Sequence, residues 1–166
     1  AHPVRPSSYL EISNFYTVTI YEKGAEVVRM YQTLLGEANF RKATDLYFDR
    51  HDGTAATTDD FAQAMSEVGN IDLSQFKRWY EQAGTPHLSV KESFADGSLT
   101  LTIVQSCPDT PNQVGKKPFH IPILMGLVGA NGEEVDLQSL TVESAADFQV
   151  RDAGESLLLE IREEIT

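Results

Sequence analysis

The apolar residues of this 166-residue chain change their spacing at Pro86, from the helical repeat to strict alternation, and this switch limits the fold more than any other feature. Before it, Ile20, Tyr21, Gly24, Val27, Val28, Tyr31, Leu34 and Leu35 trace a wide stripe, with Glu22, Glu26, Arg29 and Thr33 on the opposite side. That pattern predicts one amphipathic helix from Thr19 to Leu35. A second is expected from Ala38 to Arg50, stopped by Asp52-Gly53, and a third from Asp59 to Val68, with Thr57 and Asp60 as a capping box. A fourth is expected to start at Asp72 and Gln75, to carry Leu73, Phe76 and Tyr80 on one stripe, and to end at Gly84 and Pro86.

After Pro86 the alternation of Leu99, Leu101 and Ile103 with Ser98, Thr100 and Thr102 predicts a strand, and Phe119, Ile121, Ile123, Met125 and Leu127 predict another. Further strands are expected at Leu88 to Phe94, Glu133 to Leu137, Leu140 to Glu143, Phe148 to Val150 and Leu157 to Ile161. Turn signals fall at Asp96-Gly97, Asn131-Gly132 and Asp152 to Gly154, and the polar stretch from Ser106 to Pro118 reads as a long loop. Pro122 cannot donate to a sheet ladder and points to an edge or irregular strand. The expected fold class is therefore α+β, with a helical unit over residues 1–86 followed by an antiparallel β-sandwich over 87–166.

Charge and cysteine usage exclude several functions. Thirteen Lys plus Arg face 25 Asp plus Glu, a net charge of −12 that would repel phosphate backbones and anionic membranes, so neither nucleic acid nor a membrane is expected as a partner. The lone Cys107 can form no disulfide within the chain and suits a reducing, cytoplasmic compartment. His2, His51, His87 and His120 include no i, i+4 pair, so no metal site is expected within the chain. His51-Asp52 reads as a helix end, where an imidazolium is favoured, and Asp59 with Asp60 as first-turn carboxylates, not as an acid and base pair.

The segment Thr17-Val18-Thr19-Ile20-Tyr21-Glu22-Lys23-Gly24-Ala25-Glu26-Val27-Val28-Arg29-Met30, followed by Thr33-Leu34-Leu35-Gly36, resembles the tyrosine-bearing helix of the bacterial aminopeptidase N family, zinc metallopeptidases of the gluzincin type. The resemblance continues through Phe40-Arg41-Lys42, Tyr47-Phe48-Asp49-Arg50-His51-Asp52-Gly53, Ala55-Ala56-Thr57, Phe76-Lys77-Arg78-Trp79-Tyr80 and Gly84-Thr85-Pro86. It implies that the helical unit is the end of a thermolysin-like catalytic domain and that an immunoglobulin-like sandwich follows, incomplete here. It also implies that Tyr21 is a catalytic residue donating a hydrogen bond to the oxyanion, and that Tyr16 lines the pocket for the substrate's first side chain. A phenol suits the first role because its reference pKa near 10 keeps the proton at pH 7.

The family's H-E-x-x-H zinc motif and G-x-M-E-N strand do not occur in this sequence. Read through the resemblance, the chain is a piece of a zinc aminopeptidase acting on peptides: zinc belongs to the parent enzyme, and the piece alone is expected to bind none, to be inactive and to self-associate. The alternative is a related non-catalytic scaffold that binds proteins.

Overall fold

The computed structural model describes residues 2–95, 98–128, 131–132, 134–135, 146–150 and 157–161. Its helical part opens with a 3-10 turn at Ile12–Asn14 and a π-helical turn at Thr19–Lys23 that runs directly into α1, Gly24–Leu35. Helices α2 (Glu37–His51), α3 (Thr58–Gly69) and α4 (Arg78–Glu81) follow. No described helix is long and apolar enough to cross a membrane.

The expected continuous helix from Thr19 is thus two structures, and its buried face is narrower than the sequence stripe. Val27, Tyr31, Leu34 and Leu35 are buried, at i, i+4, i+7 and i+8, whereas Tyr21 and Val28 face out. The third helix keeps its expected cap: the Thr57 hydroxyl accepts the Asp60 N–H, and the Asp60 carboxylate accepts the Thr57 N–H at 2.8 Å. Asn70 closes it in the left-handed conformation, φ 50°.

The fourth helix is only four residues long. Asp72 accepts the backbone N–H and hydroxyl of Ser74 in a local turn, and the N–H groups of Arg78, Trp79 and Tyr80 reach back three residues, not four. Gln75, expected near a helix start, instead donates its side-chain amide to the Pro118 carbonyl.

Strands β1 (His87–Ala95) and β2 (Ser98–Ser106) form an antiparallel hairpin in which Ala95 opposes Ser98. β3 (Ile121–Met125), β6 (Ala146–Val150) and β7 (Leu157–Ile161) form a second antiparallel sheet in the order β3-β7-β6, and β4 (Leu127–Val128) pairs with β5 (Glu134–Val135). The single strand expected from Phe119 to Leu127 is broken at Gly126, and Pro122 sits in β3, an edge of its sheet. Asn131-Gly132 lies between β4 and β5, with Gly132 at φ 83°, a conformation that L side chains rarely adopt. The expected turns at Asp96-Gly97 and Asp152 to Gly154, and the strand at Leu140 to Glu143, lie outside the described residues.

One core runs through both parts. Val27, Tyr31, Met65, Phe76 and Trp79 from the helical side are continuous with Phe119 and Ile121. The stretch from Ser106 to Pro118 is a loop, as its composition suggests, but it is strapped to α4 and the residues on either side of it. Arg78 and Gln75 donate to the Pro118 carbonyl, Gln82 exchanges two hydrogen bonds with the Lys117 backbone, and the Gln113 side chain reaches Ala83 and Glu81. Behind it, the buried Gln105 amide pairs with both backbone groups of Phe119, at 2.8 Å each, as a neighbouring strand would.

The amino-terminal segment is fastened by a charge network. The Arg5 N–H donates to the Tyr80 carbonyl, and its guanidinium bridges Asp59 and Glu81, while Lys77 reaches the other Asp59 oxygen at 2.8 Å. Hydrogen bonds from Lys77 and Arg5 hold the Asp59 carboxyl below the usual carboxylate range. A depressed folded pKa stabilises the fold above the unfolded value, and that contribution is lost as pH falls through the folded value. Asp59→Asn is therefore expected to lower the urea midpoint at pH 6 and to converge on the unsubstituted chain as the pH is taken down through the acid range. A gap of constant size from pH 6 downward would dismiss this role.

Candidate active-site segment

Tyr21 lies in the π-helical turn and faces away from the core. A π turn accommodates one more residue than an α turn, so side chains on either side of it lose their common face. Tyr21 is 60% exposed, although the sequence reading includes it in the apolar stripe with Ile20 and Gly24. Tyr16, also 60% exposed, stacks against it with ring centroids 6.3 Å apart and planes inclined by 29°. Phe15 and Tyr9 extend the row edge to face, at 5.8 Å and 5.5 Å. The structure thus brings the two site residues expected from sequence side by side on one outward surface.

The upstream end of the turn is anchored at Thr17. Its carbonyl accepts the N–H groups of both Ile20 and Tyr21, at 3.0 and 3.1 Å, and its hydroxyl meets His2 Nε2 at 2.9 Å. The other ring nitrogen of His2 faces the Pro3 carbonyl at 2.7 Å. A carbonyl can only accept, so Nδ1–H is the donor in that contact.

The downstream end is held by Lys23, which sequence reasoning passed over. Its Nζ donates to the Gly84 carbonyl at 2.6 Å and lies 5.8 Å from the centroid of the Trp79 ring. Burial lowers its pKa from the ordinary lysine value, partly offset by the nearby Cys107 thiol. The signal was present in the sequence: Lys23 sits four residues before Val27 and eight before Tyr31, a charge placed on a core stripe.

Cys107 has Lys116 and Lys23 near it, yet burial outweighs both ammonium groups and pushes the thiol up. It is therefore no activated nucleophile. Lys116 is committed elsewhere, to Ala83, Thr110 and Gln113. His51 is the last residue of α2, as its reading as a helix end requires, and stacks near Tyr47. Among the described residues no three His, Cys, Asp or Glu side chains converge, so they do not fit a zinc site.

Residues 1–80 match the peptidase family M1 domain, and residues 84–163 match the Ig-like fold domain of unknown function DUF3458. The chain is 54% identical over 140 residues to aminopeptidase N of Escherichia coli, covering 83% of this chain and 16% of that protein. To aminopeptidase N of Caulobacter vibrioides it is 51% identical over 153 residues, 91% of this chain and 18% of the relative. The crystal structure of Legionella pneumophila aminopeptidase A in complex with aspartic acid superposes with a TM-score of 0.75 at 27% identity, over 98% of this chain and 16% of that one. Residues 1–80 thus belong to an M1 peptidase domain and residues 84–163 to an Ig-like domain, and across both the chain is similar to bacterial aminopeptidase N while spanning less than a fifth of its length.

Proposed function

We propose that this chain is the oxyanion-stabilising segment of a zinc-dependent aminopeptidase that removes amino-terminal residues from peptides. The observation that carries the reading is the outward presentation of Tyr21 on a π-helical turn within the M1 match. A buried phenol at that position would be packing; an exposed one can donate to a substrate. Attack on a peptide carbonyl places negative charge on its oxygen, and a donor already aimed at that oxygen stabilises the transition state more than the ground state. Tyr16, stacked on Tyr21, is proposed to line the pocket for the substrate's first side chain.

Zinc, which supplies metal-activated water in such enzymes, is proposed for the parent enzyme and not for this chain. A cytoplasmic location is proposed on the unpaired Cys107. The isolated 166-residue chain is proposed to be inert and to self-associate: every residue of β1 is exposed, including Leu88, Val90 and Phe94, and β1 pairs only with β2 among the described residues.

The test compares two proteins on an aminoacyl amide. The parent enzyme should release amine and lose that activity on dialysis against a chelator, with zinc restoring it. The isolated chain should show neither turnover nor stoichiometric zinc, and its light-scattering mass should rise with concentration. A parent protein that folds, holds zinc and cleaves no aminoacyl substrate would favour the scaffold alternative, and a strictly monomeric chain would remove the β1 pairing.

A further inference from the structure

Lys23 has no part in the chemistry assigned to Tyr21, yet it is half-buried where the helix faces the rest of the molecule. A lysine stem is flexible enough to carry its ammonium out to water, and withdrawing that charge is unfavourable unless it is bonded. Here it is bonded twice, to the Gly84 carbonyl at 2.6 Å and, more weakly, to the Trp79 indole face. Both partners are themselves fixed. Gly84 has φ 91°, and a Cβ there would stand 3.3 Å from both Cys107 Sγ and Thr110 Cγ2. Trp79 donates Nε1–H to the His120 carbonyl at 2.8 Å and lies against Phe119, with ring centroids 4.2 Å apart.

Lys23 is also the last residue of the π-helical turn that carries Tyr21. The π geometry is uncommon and holds one residue more than an α turn, and here both of its ends are tied to other parts of the chain. Thr17 constrains one end. If the other were released and the turn relaxed to α, side chains on its upstream side would swing by about 100°, the angle per residue of an α-helix.

We infer that Lys23 is a positioning residue for Tyr21, pinning the carboxyl end of the π-helical turn to Gly84 and Trp79, so that the Ig-like domain helps set where the Tyr21 hydroxyl stands. This rests on the oxyanion reading of Tyr21, and it extends that reading by giving the second domain a part in the geometry of the reacting site.

The experiment is a double-mutant cycle in the full-length parent enzyme, at matched zinc content, with kcat and KM measured on an aminoacyl amide. Lys23→Met keeps the stem and removes the charge, and should lower kcat about tenfold with KM within about twofold, the pattern of an interaction felt in the transition state. Lys23→Arg, which keeps a donor for the Gly84 carbonyl, should recover part of the loss. In a Tyr21→Phe background the same Lys23→Met change should cost less than about twofold, because the hydroxyl it positions is already gone. A purely structural lysine would cost the same factor in both backgrounds, and that result overturns the inference while leaving the oxyanion role intact. If Tyr21→Phe alone were silent, the oxyanion role would fall and this inference with it. Should Lys23→Met not accumulate as folded protein, Gly84→Ala, which displaces the acceptor, must show the same non-additivity with Tyr21→Phe, and additive losses would again overturn it.

Discussion

Tyr21→Phe in the proposed parent aminopeptidase is expected to lower kcat by about a hundred- to a thousandfold while KM stays within about threefold. The substitution removes one hydroxyl and keeps the ring, so the stacking of Tyr21 on Tyr16 at 6.3 Å should survive. With the side chain 60% exposed and its hydroxyl outside the core, the fold should be insensitive to the change. The lost hydrogen bond would have strengthened as charge developed on the carbonyl oxygen, which is why the effect falls on kcat. Steady-state kinetics at matched zinc content measure it. A kcat within about threefold of the unsubstituted enzyme would return Tyr21 to the status of a surface aromatic.

The second large effect concerns the junction. Trp79→Ala is expected to destabilise the chain by about 3–5 kcal/mol, the usual range for truncating a large buried aromatic. Trp79 is 7% exposed, it packs on Phe119, and it supplies a hydrogen bond to the His120 carbonyl across 41 residues of sequence. Truncation opens a cavity where the helical and β parts share one core, and the two should loosen together. Trp79→Phe refills most of that space but removes the N–H donor, so it should cost about 1–3 kcal/mol. Urea unfolding followed by far-UV circular dichroism is the suitable measurement, since Trp79 is the sole tryptophan and its fluorescence leaves with it. A loss below about 1 kcal/mol for Trp79→Ala would mean that the junction is not part of the cooperative core.

Much of the architecture was legible because local physics dominates it. The capping box at Thr57 and Asp60 needs only residues three apart, and it formed as expected. The alternation in Leu101, Thr102 and Ile103 placed β2, and Leu157 to Ile161 coincide with β7, because side-chain period two is a local property of a strand. The fourth helix was misjudged in length because a favourable stripe could not reveal that Asp72 and Gln75 spend their side chains on Ser74 and Pro118. Similarly, the loop from Ser106 to Pro118 reads as polar and unstructured until its partners on α4, more than thirty residues away, are known.

The same division holds at the site. The change from helices to strands at Pro86, the excess of acidic charge, and the segment around Tyr21 that carries the family resemblance can be read from the residues alone, since each is a matter of composition, spacing or residue order. That Tyr21 points outward from a π-helical turn is visible only in the fold, because such a turn differs from an α turn by a single residue and periodicity does not reveal where one forms. The fold also decided what Lys23 does. A lysine on an apolar stripe is an anomaly in the sequence, and becomes an anchor only when a carbonyl 61 residues further along the chain is folded back to within 2.6 Å of it.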